Sequence, residues 1–234
     1  MNKSFEVLYQ DVHMVAINKP PGYVVHRSAM THNARDIVLQ SLRDQLERRV
    51  YPVHRLDRKT SGVLLFALDQ KTQKDIYKLF QNQEIAKEYR AIVRGWTAAE
   101  GLIDYALTND KGKSQTAKTI YHTLKHYEID LPHGKFETSR YSLVALKPLT
   151  GRMHQLRKHM AHINHPILGD RPHGCNKQNR LWKNTFDLNE MMLHANYISM
   201  NHPVTAGKLE IEAPFSAEFE RVTYILENNI IQSS

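Results

Sequence analysis

Apolar positions along the chain give the first outline. In "FEVLYQD" (5–11) apolar and polar residues alternate, and "MVAINKP" (14–20) is an almost continuous apolar run that ends in turn residues. Both predict short strands. "NKPPG" then stops any ladder, because two prolines and a glycine fix a turn. From Arg35 to Glu47, Val38, Leu39, Leu42 and Leu46 recur at helical spacing, with Asn33 placed to cap the helix. Val63–Leu68, "VLLFAL", has the unbroken apolar character of a buried strand, and Asp69 can cap a helix whose apolar face is Ile76, Leu79 and Phe80.

"KEYRAIVRGW" alternates, with Tyr89, Ala91 and Val93 on one side and Arg90, Ile92 and Arg94 on the other, which predicts a half-buried strand. Residues 105–118 are polar and lysine-rich, a surface loop or hairpin tip. Strands are expected at "TIYHTLKHYEI", "TSRYSLVALKP", "MMLHANYISM" and "KLEIEAP". Helices are expected at "TGRMHQLRKHMAHINHP", up to its proline, and at "FSAEFERVTYILEN"; residues 170–190 read as irregular. Strands and helices mix without a regular βαβ alternation. The expected class is α+β, with a central, mostly antiparallel mixed sheet flanked by helices and loops. No repeat or composition break divides the chain, so one catalytic domain is expected over 1–234.

Composition narrows the partners. Lys and Arg number 32 against 24 Asp and Glu, a net charge of +8, which favours a polyanion such as nucleic acid. No window holds the ~20 apolar residues of a membrane span, and the N-terminus lacks a secretory apolar core. The single cysteine, Cys175, excludes an intramolecular disulfide and a cysteine-ligated zinc site, in keeping with a reducing cytoplasm. Among 14 histidines the densest group is His154, His159, His162 and His165. No carboxylate completes a site and no H-E-x-x-H occurs, so no metal is expected.

Nucleotide-binding glycine loops and G-x-S-x-G are also missing, which leaves "HRLDRKTSG" (54–62) as the stretch that could hold chemistry. It sets Asp57 among Arg55, Arg58 and Lys59. Nearby cations favour an ionised carboxylate, a poor general base but a usable nucleophile or electrostatic stabiliser. The bland alternative is an Asp that closes a turn. In the helix after Arg152, Met153, Leu156, Met160 and Ile163 form the apolar stripe, and Arg157 falls at its edge. An arginine there seeks a carboxylate, with Asp57 a candidate, or else snorkels to water. Tyr89 points toward the core or a cleft, and spacing alone fits a core tyrosine.

Taken together, "HRLDRKTSG", "KEYRAIVRG", "KPLTGRMHQLRKHMAHINHPILGD" and "LHA", after an opening "LYQDVHMVAINKPPG", resemble the RluA-type pseudouridine synthases. The segments stand in the family's order and span nearly the whole chain. "VVHRS", "LRDQ" and "HGCNKQNR" resemble the branch that modifies tRNA, although residues 105–118 are shorter than their counterpart there. No additional RNA-binding domain is expected before Phe5. The resemblance implies that a uridine, in the T stem of tRNA, is detached at N1 and rejoined through C5 by a cytoplasmic, monomeric enzyme that needs no cofactor or metal. Asp57 then matches the nucleophile, Tyr89 the tyrosine that packs on the base and takes the C5 proton, and Arg157 the arginine that pairs with the catalytic Asp. Arg55 matches the RNA-binding arginine that fills the stack when the uridine leaves it. Two alternatives stand beside this: a ribosomal RNA synthase of the same family, and a non-catalytic RNA-binding or folding module.

Overall fold

The computed structural model describes residues 4–26 and 36–230. In chain order its elements are β1 (Glu6–Gln10), β2 (Met14–Lys19), α1 (Val38–Leu46), β3 (Tyr51–Pro52), β4 (Ser61–Ala67), α2 (Gln70–Gln81), β5 (Ala86–Arg94) and β6 (Glu100–Asp104). There follow β7 (Leu107–Thr108), β8 (Ser114–Gln115), β9 (Lys118–Ile129), β10 (Ser139–Pro148), α3 (Gln155–His162), α4 (Asn176–Phe186), β11 (Leu193–Asn201), β12 (Lys208–Glu212) and α5 (Ala217–Asn228). The class is α+β, as the pattern predicts. The chain packs as two compact units, Met1–Lys87 with His194–Pro214, and Glu88–Leu193 with Phe215–Ser234.

In the first unit β2 pairs antiparallel with both β1 and β4, β3 covers the end of β4, and β12 pairs antiparallel with β11. One contact is parallel: Ser61 and Gly62 of β4 lie against His194 and Ala195 of β11. This approach demands glycine. Gly62 has φ +107°, and a Cβ there would stand 2.2 Å from the Ala195 carbonyl oxygen. The Ser61 hydroxyl and His194 Nδ1, 2.8 Å apart, fasten the same junction. Met14, Ala16, Val63, Leu65 and Ala67 pack with Ile76 of α2 and with Ile198 and Ile211 to form the core. Helix α2 starts where its cap predicts, the Asp69 carboxylate accepting from Thr72 N–H at 2.8 Å. Helix α1 begins at Val38; Asn33, read as its cap, lies outside the described residues.

In the second unit β10 pairs antiparallel with β5 and β9, and β9 with β6. One face of this sheet packs Ala91, Val93, Tyr121, Val144 and Leu146 against Leu156 and Met160 of α3. The other face packs Ile92, Tyr127 and Tyr141 against Trp182 of α4 and Phe219, Val222 and Leu226 of α5. The expectation of a half-buried β5 is therefore corrected: Ala91, Ile92 and Val93 are all fully buried, because helices cover both faces.

Two further expectations are corrected. Residues 170–190 are not wholly irregular, since they carry α4. Its eleven residues include only three large apolar ones, Leu181, Trp182 and Phe186, too few to show a period. The helix expected from 150 up to Pro166 is only α3, entered through His154 in the left-handed region at φ 56° and left before Ile163. Residues 105–118 resolve into the small β7–β8 hairpin, one of the two forms expected.

Candidate active site

Asp57 sits on a loop that the rest of its unit holds still. Leu56 is buried and anchors the loop, while Arg55 and Arg58 are exposed on either side of it. The Asp57 carbonyl accepts from Thr60 N–H at 3.1 Å, closing a turn. The "NKPPG" turn grips this one from outside. Gly22 N–H donates to the Arg58 carbonyl at 2.8 Å, and Arg58 Nε donates to the Gly22 carbonyl at 2.8 Å.

Lys19 completes the clamp. It is fully buried, and its Nζ donates to the carbonyls of Thr60 at 2.7 Å, Pro20 at 2.9 Å and Arg58 at 3.2 Å. All three ammonium donors are thereby used. Burial pushes the ammonium down to about 7, against the pull of the Asp57 carboxylate, which favours its charged form, and with the push of Arg58. A buried charge is tolerated only when it is hydrogen-bonded and offset, and this one is both.

His54 secures the start of the loop. Next to the β3 pair, its Nε2 accepts from Leu65 N–H of β4 at 2.9 Å, so the ring is held in its neutral form. Desolvation, with the Lys87 charge adding to it, drives its pKa down to about 3. Neither Lys19 nor His54 figures in the sequence-based site. The available signal was a lysine closing an otherwise apolar strand, and a histidine opening the motif.

Tyr89 and Arg157 belong to the second unit. Tyr89, on β5 opposite Leu146 of β10, packs at the edge of the cluster around Ala91 and Leu156. Its neighbour Glu88 pairs with Arg90 and, at 3.1 Å, with Lys147. Arg157 does not snorkel to water: it is buried, and within its unit it pairs with Asp170, Nε to Oδ2 at 2.7 Å.

The start of α3 is fixed by Gln155. Its side-chain oxygen accepts from Thr150 Oγ1 at 2.7 Å and Arg152 N–H at 3.0 Å. Its amide donates to the Lys118 carbonyl at 2.9 Å and Thr119 Oγ1 at 3.0 Å. Thus the sequence-predicted residues fall on two supports: Asp57 and Arg55 on one clamped loop, Tyr89 and Arg157 on the strand and helix of the other unit. Among the described residues no group of three or more His, Cys, Asp or Glu side chains is arranged to hold a metal ion.

A model of the RNA pseudouridylate synthase family matches residues 13–162, more than half of the chain. The chain belongs to the RNA pseudouridylate synthase family. Proteins named tRNA pseudouridine synthase C are similar to it over most of its length. That of Yersinia pestis is 46% identical over 219 residues, 89% of this chain and 85% of that one. That of Vibrio parahaemolyticus is 42% identical over 228 residues, 93% of each. That of Pectobacterium carotovorum is 43% identical, and there the chain spans only 61% of the relative's length. The family fold recurs in the solved structure of human RNA pseudouridylate synthase domain containing 1, with a TM-score of 0.72, 23% identity, and 97% and 96% of the two chains covered. It recurs in human RNA pseudouridylate synthase domain containing 4, with a TM-score of 0.73 and 24% identity.

Proposed function

We propose that this protein converts a uridine of tRNA, in the T stem, to pseudouridine. Asp57 acts as the nucleophile that opens the glycosidic bond. Its carboxylate bonds to C1′ as the C1′–N1 bond breaks, the base turns, and C5 attacks C1′ and displaces the carboxylate. The C5 proton passes to Tyr89, whose own hydroxyl proton has gone to solvent, and N1 takes up a proton from solvent. Arg157 is the active-site cation that serves the catalytic carboxylate. Arg55 enters the RNA stack as the uridine leaves it. The chemistry consumes no cofactor or metal, and the enzyme works as a cytoplasmic monomer.

The observation that carries this reading is the Asp57 loop in a chain of this family. A carboxylate and an exposed planar guanidinium stand two residues apart on backbone that Lys19, Gly22 and Thr60 hold at fixed distances. A paired base hides its glycosidic bond, and extruding it costs a few kcal/mol. A guanidinium can fill the vacated space and bind phosphates or base edges. A rigid loop then presents the nucleophile without further ordering cost. The names of the similar proteins favour tRNA over ribosomal RNA. Pseudouridine mapping of total RNA from cells with and without the gene tests the substrate. Loss of a single T-stem pseudouridine supports the reading; loss from ribosomal RNA alone would redirect it.

A further inference from the structure

Arg157 meets Asp170 at two points, Nε to Oδ2 at 2.7 Å and Nη2 to Oδ1 at 2.8 Å. Arg157 is 6% exposed and Asp170 1%. A one-point contact lets a guanidinium swivel, whereas a two-point contact fixes its plane and rotation. Because Asp170 takes the Nε–Nη2 edge, Nη1 is aimed away from Asp170 in a set direction.

The backbone that carries this carboxylate is itself fixed. Asn179 of α4 donates from Nδ2 to the Asp170 carbonyl at 2.6 Å, and its Oδ1 accepts from Gly169 N–H at 2.9 Å. One amide thus holds the backbone before and after the Asp170 nitrogen. Gly169 has φ +80°, and a Cβ on it would stand 2.1 Å from the Glu190 carbonyl oxygen; a Cβ on Gly174 would stand 1.8 Å from the Asp170 carbonyl oxygen. Neither position admits a side chain, so the segment 169–174 has little room to shift. His173 N–H points at Asp170 Oδ1 from 3.4 Å. A salt bridge needed only to join α3 to this segment would not require the backbone beneath the carboxylate to be held so closely.

We infer that Asp170, backed by Asn179, is the positioning residue for Arg157: it sets the plane of the guanidinium and supplies its countercharge. The inference rests on the reading of Arg157 as the active-site cation. It assigns Asp170 no contact with the RNA.

Asp170→Asn keeps the shape and removes the charge and one acceptor. With the full chain and a tRNA transcript, single-turnover rate should fall about a hundredfold, the effect of a misplaced active-site group. RNA affinity should stay within about threefold, because phosphate contacts elsewhere supply it. Asp170→Asn combined with Arg157→Met should be no slower than Arg157→Met alone, since both act through one guanidinium. Asn179→Ala, which leaves both charges in place, should give a smaller loss of rate, again with affinity retained. It carries the test if Asp170→Asn does not fold. Additive losses in the double variant, or a parallel fall of rate and affinity, would overturn the inference. So would Asp170→Asn at the wild-type rate while Arg157→Met is slow, and that result would leave the reading of Arg157 standing. Arg157→Met at the wild-type rate would remove that reading and the inference together.

Discussion

Lys19 Nζ donates to the Thr60 carbonyl at 2.7 Å and to the Arg58 carbonyl at 3.2 Å, so the "NKPPG" side of the unit fixes the backbone just after Asp57. An ammonium with three carbonyl partners works here as a bracket for the Asp57 loop. Lys19→Met tests it. The substitution removes the donors, which costs about 1–3 kcal/mol for each carbonyl left unsatisfied. It also relieves the desolvation of a buried charge. The two effects oppose in stability but not in catalysis. Melting should therefore move by a few degrees while single-turnover rate falls by about tenfold or more. A wild-type rate would show that the loop holds its shape without the bracket.

His54 gives a pH dependence with a defined sign. Its pKa drops from 6.5 unfolded to about 3 folded. Above 6.5 both states are neutral and the histidine costs nothing. As pH falls from 6.5 toward 3 the unfolded chain takes up a proton that the folded chain refuses. Stability is lost through that window at a limiting slope of about 1.4 kcal/mol per pH unit. His54→Gln keeps an acceptor for Leu65 N–H and cannot titrate. Denaturant unfolding of both proteins from pH 7 to 4 should show a steeper acid decline for wild type; parallel curves would mean that His54 is protonated in the fold.

Arg157→Met strands a carboxylate that is 1% exposed. Removing one partner of a buried pair costs about 3–5 kcal/mol, because the other charge is left uncompensated. Equilibrium unfolding should report a loss of that order, together with severe loss of turnover. An unchanged unfolding midpoint would contradict the two-point pairing with Asp170.

Arg55 is exposed on the Asp57 loop, where two roles make different predictions. If it replaces the extruded base, Arg55→Ala should cost most on a folded tRNA whose target is stacked and paired, and less on an RNA that presents the uridine unpaired. If it only binds phosphate, the loss should be equal on both, with the slope of log affinity against log salt reduced by about one. Rates on the two RNAs across a salt series separate these outcomes.

The elements that sequence pattern revealed are those whose burial follows a local period. Alternation marks β9 and β10, and Asp69 marks the start of α2. What stayed hidden depends on partners far along the chain. Helix α4 buries Trp182 against Tyr141, its indole N–H donating to the Tyr141 hydroxyl at 2.7 Å across 41 residues, and nothing local announces that. Ile92 reads as solvent-facing beside Arg90 and Arg94 until α4 and α5 cover it. The site shows the same division. Asp57, Tyr89, Arg157 and Arg55 are proposed from motifs. The groups that hold the site in shape are different: Lys19 on Thr60, His54 on Leu65 and Asp170 on Arg157 act through hydrogen bonds spanning 41, 11 and 13 residues.

The central claim is that Asp57 is the nucleophile of a tRNA pseudouridine synthase, and Asp57→Asn tests it most directly. The change keeps the size of the side chain and removes its charge. The measurement is tritium release from tRNA carrying C5-labelled uridine, made beside RNA binding by the same preparation. The account predicts binding close to wild type, since affinity comes mainly from phosphate contacts, and no release above background. Release within about tenfold of wild type would contradict it, because that gap is too small for the loss of a nucleophile.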